Sequence, residues 1–141
     1  MRKKTLAVLL RYRRTQLDSA QRALAERQQE EDAARQDEQS LNTEAEREGA
    51  LLASNDGLPL TQDDLARWRA VVDTRRQAVR QHITAAEEKT AQAMAALVEC
   101  RVAERVAVEL AKQRADEEKR LAEQAYLIML NDLSCRKKTA F

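Results

Sequence analysis

Aromatic residues make up only 3% of this 141-residue chain, which holds 2 glycines, 1 proline, 2 cysteines and 1 histidine. Each shortage excludes something. A β-sandwich or barrel needs many turns and many β-branched or aromatic strand residues. An α/β nucleotide fold needs glycine-rich loops. Two glycines supply neither. Cys100 and Cys135 lie far apart without metal-ligand spacing, and a structural zinc site takes about four ligands. No metal and no cofactor is therefore expected, and the cysteine usage fits a reducing, cytosolic compartment. A disordered chain would be richer in proline, glycine and serine. What is present is Ala, Glu, Arg, Leu, Gln and Lys, the strong helix formers.

Net charge is +1 with 35% charged residues, so the chain as a whole carries no field that would hold nucleic acid or an anionic membrane. The charge is blocked, however. Residues 1–25 carry seven basic side chains (Arg2, Lys3, Lys4, Arg11, Arg13, Arg14 and Arg22) against Asp18. Residues 26–48 carry nine acids against three arginines, and residues 67–80 carry five arginines against Asp73. The start, Arg2-Lys3-Lys4 before Thr5 to Leu10, has the opening of a signal peptide. Its apolar run is too short, it ends in Arg11-Tyr12-Arg13-Arg14, and no small-residue cleavage site follows. No stretch approaches the roughly 20 apolar residues of a membrane span. A cytoplasmic protein with no membrane insertion is expected.

Asn55-Asp56-Gly57-Leu58-Pro59 is the one strong break. It predicts an all-α chain of two long helices, about 3–53 and about 62–132, with a loop at about 54–61 and a C-terminal tail at 133–141. Gly49 is expected to loosen the end of the first helix. Thr61 is a good N-cap for the second, with Asp64 at N3 in near capping-box spacing and Leu60 and Leu65 placed as a hydrophobic staple. Asp63 and Asp64 also suit the positive end of the helix dipole.

The apolar pattern is heptad-like. In the first helix Leu10, Leu17 and Leu24 recur every seven residues, with Leu6, Ala20, Ala34, Leu41, Ala45 and Leu52 at related positions. In the second, Leu65, Val72, Val79, Ala86, Ala93, Cys100, Ala107, Leu121 and Ile128 fall on one heptad position. Trp68, Ala96, Ala103 and Leu110 fall on its companion. So many alanines bury little area, which predicts a pliable seam. A short loop forces the helices antiparallel, with facing residue numbers summing to about 116 by heptad register. That register sets Glu44, Glu46 and Glu48 against Arg67, Arg69, Arg75 and Arg76. It also predicts a single long antiparallel coiled-coil hairpin whose second helix outruns the first by about 20 residues, or about 30 Å. The overhang holds Leu121, then Tyr126-Leu127-Ile128-Met129-Leu130, then Leu133. An exposed apolar surface of that kind marks an interaction site.

No enzyme site is evident. There is no phosphate loop and no nucleophile beside a base, and His82 stands alone on a helix flank. Trp68 reads either as a large filler near the hairpin tip or as an interface anchor. The basic start reads either as the polar face of a helix end or as a docking surface for an acidic partner. No stacking aromatics or groove-reading motif accompany it, so no nucleic-acid partner is expected.

The layout resembles the coiled-coil stalk proteins of type III export machines, the FliJ/YscO family. The likeness runs over the whole chain: a basic leucine-containing start (Leu9 to Arg14, then Leu17-Asp18-Ser19-Ala20), an acidic middle, a short loop and a longer second helix. Leu60-Thr61-Gln62-Asp63-Asp64-Leu65-Ala66-Arg67-Trp68 is similar to the Asp-Leu-x-x-Trp opening of the second helix in YscO-like members. Val71 to His82 is similar to the matching FliJ segment, with Thr74, Ala78, Gln81 and His82 in register. The resemblance implies a non-enzymatic stalk that inserts into the hexameric export ATPase, promotes its assembly, contacts the export gate and escorts export chaperones. It implies that both chain ends enter the ATPase, which here means Arg2, Lys3, Lys4, Arg11, Arg13, Arg14, Tyr126, Leu127, Ile128, Leu130 and Leu133. It places the gate-facing stripe at Val71, Arg75, Ala78 and His82, with Trp68 beside it. The chain departs from FliJ there, where the first two stripe positions are bulky and apolar. The Asp-Leu-x-x-Trp opening favours the injectisome branch over the flagellar one. A generic structural coiled coil that self-associates through its overhang is the alternative, and an adaptor acting through the basic start is a third.

Overall fold

The computed structural model describes residues 2–54 and 61–139. It is all-α, an antiparallel two-helix hairpin of α1 (Lys3–Ser54, 52 residues) and α2 (Gln62–Thr139, 78 residues). The Asn55 to Pro59 turn and Leu60 of the expected staple lie outside the described residues. The helix start is capped reciprocally. Thr61 Oγ1 accepts from the Asp64 amide at 3.2 Å, and Asp64 Oδ2 accepts from the Thr61 amide at 3.2 Å and its hydroxyl at 2.9 Å. An aspartate does the work usually given to a longer glutamate.

α2 does not stop near residue 132. It continues to Thr139, so most of the expected tail is helix. Residues 133–139 contain no glycine or proline to end it. Arg136, Lys137 and Lys138 occupy the last turn, where cations complement the negative end of the helix dipole.

The chain packs as two units, Ser19–Leu97 and a second made of Met1–Asp18 with Val98–Phe141. In the Ser19–Leu97 unit α1 faces α2 through Leu24, Ala34 and Ala45 against Val72, Ile83, Ala86 and Leu97, all buried. The facing register is close to that expected. Trp68 Nε1 donates to Glu48 Oε2 at 2.9 Å, and Thr90 Oγ1 donates to the Arg27 carbonyl at 3.3 Å. In the other unit Leu6 and Ala107 are the buried residues, and Arg14 Nε lies 3.9 Å from Glu104 Oε1.

The α1 seam follows its expected heptad positions, but the α2 companion position is shifted by one residue. Of the expected row Trp68 and Ala103 are half-buried but Ala96 and Leu110 are exposed, whereas Ile83 and Leu97 are buried and Arg76, Thr90 and Glu104 are half-buried in step with them. The reason is geometric. A seam alternates steps of three and four, so from Val79 or Ala93 the next inward position is equally spaced at either. Above Val79 and Ala93 the four-residue step brings in Ile83 and Leu97, the larger apolar side chains. Polar Arg76 and Thr90 at the same position hide that choice in the sequence.

The expected charge pairing across the hairpin is also corrected. Among the described residues no ion pair within 4.0 Å joins Glu44, Glu46 or Glu48 to Arg67, Arg69, Arg75 or Arg76. The cross-hairpin pair in this unit is Arg35 Nη2 with Glu87 Oε1 at 3.3 Å. Exposed pairs gain only about 0–1 kcal/mol, which barely repays the ordering of two long side chains. Glu48 is instead used by Trp68.

Candidate functional site

Two surfaces hold the residues singled out by the sequence, one in each packing unit. The first is the unpaired end of α2. From Lys112 to Lys138 every side chain is exposed. Leu121, Tyr126, Leu127, Ile128, Met129, Leu130 and Leu133 are 43–63% exposed. None of them is buried or half-buried. Successive helical residues lie about 100° apart, so Tyr126 to Leu130 cover the whole circumference. A helix apolar on all sides is the pattern of a buried helix, not a surface one.

The basic start of α1 belongs to the same unit. Arg2, Lys3, Lys4, Arg11 and Arg14 are exposed. Arg13 is not, because it occupies a seam position. Its guanidinium lies 5.7 Å from the centre of the Tyr12 ring, and Nη1 donates to Gln16 Oε1 at 3.2 Å. Gln16 Nε2 in turn donates to the Tyr12 hydroxyl at 2.7 Å. Thus Arg13 contributes to packing while the arginines on either side of Tyr12 and Arg13 project outward. Where α1 begins, Lys3, Leu6, Ala7 and Leu10 form an apolar-floored cleft with Ala111, Arg114, Ala115 and Glu118.

The second surface lies in the Ser19–Leu97 unit. Val71, Arg75, Ala78 and His82 form one exposed stripe, at steps of four, three and four. Trp68 is not part of its free surface. It is half-buried, its indole N–H is held by Glu48, and its ring edge fills the notch left by Gly49. A Cβ on Gly49 would lie 3.2 Å from Trp68 Cη2. Gly49 therefore admits the indole rather than ending the helix, which runs on to Ser54. The half-buried indole packs as a filler and keeps part of its surface exposed. Beside it, Glu46, Arg69, Val72, Asp73 and Arg76 line an open cleft. Arg76 Nε is buried there without a hydrogen-bond partner. Sequence reasoning had not placed Arg76 in the seam, and its only signal was the seven-residue spacing to Ile83.

Among the described residues no cluster of three or more His, Cys, Asp or Glu side chains could hold a metal, and no helix is long and apolar enough to cross a membrane. Cys100 is half-buried and Cys135 exposed.

Fold and surfaces together define a class, the two-helix antiparallel hairpins with one helix end left bare. Comparison goes no further than that class: no protein-family model, no curated protein and no solved structure matches the chain.

Proposed function

We propose that the protein is a non-enzymatic stalk of a type III export apparatus, cytoplasmic and peripheral to the inner membrane. It enters and promotes assembly of the hexameric export ATPase, and links it to the export gate and to export chaperones. The observation that carries this reading is the bare end of α2, apolar around its full circumference at Tyr126 to Leu130 and exposed throughout. One partner helix buries only one stripe of such a segment. A ring closing round it buries all of it. The basic start of α1 lies in the same packing unit and supplies Arg2, Lys3, Lys4, Arg11 and Arg14 for acidic groups on the ring. The stripe Val71, Arg75, Ala78 and His82 is the surface offered to the gate. The family likeness at Asp63 to Trp68 favours the injectisome branch.

The test is the ATPase activity of the cognate hexamer with and without this protein. Stimulation and co-elution are expected. Replacing Leu127, Ile128 and Leu130 together with serine is expected to abolish the stimulation while far-ultraviolet circular dichroism shows helicity nearly unchanged. No stimulation by the native chain would sink the stalk reading. A large loss of helicity in the triple variant would show instead that the segment is core.

A further inference from the structure

We propose that the bare end of α2 also pairs with the same segment of a second copy, antiparallel and two-fold symmetric, in the protein free of other partners. This goes beyond the stalk function and does not rest on it.

The argument is the charge pattern at the two ends of the segment. Asp116, Glu117 and Glu118 open it, and Arg136, Lys137 and Lys138 close it. In an antiparallel pairing each residue lies level with one whose number brings the sum to about 254. The acidic end of each copy then meets the basic end of the other, twice over by symmetry. Centring the pair on those charges also centres it on Leu127, in the middle of the apolar run. Leu121 lies level with Leu133, and Tyr126 with Ile128, although Leu121, Leu127 and Leu133 point about 120° apart round the helix, so one face takes up part of the run. A parallel pairing sets acid against acid and base against base. The charges thus favour one orientation, and the apolar run is centred lengthwise in it.

Continuity supports the same occupant. α1 covers α2 only as far as the cleft where Lys3 faces Arg114 and Glu118. Beyond it α2 continues with no covering helix among the described residues. A partner helix ending at residue 138 reaches Asp116, where α1 begins, and takes up the face that α1 leaves. The fit is graded, however. Arg114, 4.0 Å from Glu117 and 3.7 Å from Glu118, competes with the incoming basic turn for these acids, and one helix covers one stripe of a segment apolar all round. The pair is therefore weak, salt-sensitive and able to yield to a partner that surrounds the segment.

Sedimentation equilibrium of the full chain tests this at low salt, from micromolar to sub-millimolar protein. A reversible monomer–dimer equilibrium is expected, weakening at least tenfold as salt is raised from low to high. The charge-reversed variants Lys137→Glu/Lys138→Glu and Asp116→Lys/Glu117→Lys are each expected to remain monomeric with helicity intact. Mixed in equal amounts they are expected to form a heterodimer, because each then complements the other at both ends. A native chain that stays monomeric throughout the range overturns the proposal. So does self-association that persists in both variants, or a mixture that gains nothing. Because no ATPase enters the assay, failure here leaves the stalk reading standing, and absence of ATPase stimulation leaves this one standing.

Discussion

Truncating Leu97 and Leu110 in turn tests the packing of α2. Leu97 is 3% exposed and Leu110 is 41% exposed, although simple heptad counting puts Leu110 on the seam. Leu97→Ala deletes three carbons, and at about 0.8 kcal/mol per buried methylene the transfer loss is about 2.4 kcal/mol. The space left behind raises the cost to about 3–4 kcal/mol, because an α-helical pair closes only partly over a gap. At Leu110 much of the side chain already meets water, and the loss scales down to about 1.4 kcal/mol. No closed cavity forms there, since Leu110 lines an open surface with Leu6, Gln113, Arg114 and Glu117. The assay is urea unfolding followed by circular dichroism. Leu97→Ala is expected to lower the midpoint by about 1 M or more at unchanged slope, and Leu110→Ala by less than half as much. An equal or larger loss at Leu110 would refute the shifted seam and restore Ala96, Ala103 and Leu110 as its companion row.

Glu48→Ala keeps the Trp68 ring in the Gly49 notch but removes the acceptor of its indole N–H. Urea midpoints are expected to report a loss of about 0.5–1.5 kcal/mol, and a neutral result would mean the bond contributes nothing. Thr61→Ala and Asp64→Ala each break the reciprocal cap and are expected to cost about 1 kcal/mol. The double variant is expected to cost less than their sum, since either change already opens the box. Arg76→Met preserves length and removes the partnerless buried Nε, so it is expected to raise the unfolding midpoint by about 1 kcal/mol equivalent. A clear drop would show that Arg76 is paired in solution.

Much of this protein is set by local sequence. Helix formers, interrupted by no proline and by the single glycine Gly49, make α1 and α2. The break at 55–59 bounds them, Thr61 and Asp64 cap the second, and seven-residue spacing marks the α1 seam from Leu6 to Leu52. These rest on backbone propensity and on interactions within one turn, which a linear reading contains. The bare apolar end of α2 was legible too, because counting residues on either side of one break shows which helix is longer.

Tertiary contact decided the rest. Whether Leu97 or Ala96 turns inward depends on what α1 offers opposite, since steps of three and four fit a helix almost equally well. Which donor Glu48 accepts from was a matter of reach, and the indole N–H of Trp68 stands at 2.9 Å where no arginine of the expected set comes within 4.0 Å. Gly49 looked like a helix breaker because glycine has that propensity. Its lack of a Cβ matters instead for the space it leaves the indole. The helix end at Thr139, seven residues beyond the expected stop, is local in origin. No breaker follows Asp132, and three basic residues sit where the helix dipole favours them. Propensity and pattern act along the chain, whereas the choice of inward face and of polar partner is made only when a second helix is present to choose against.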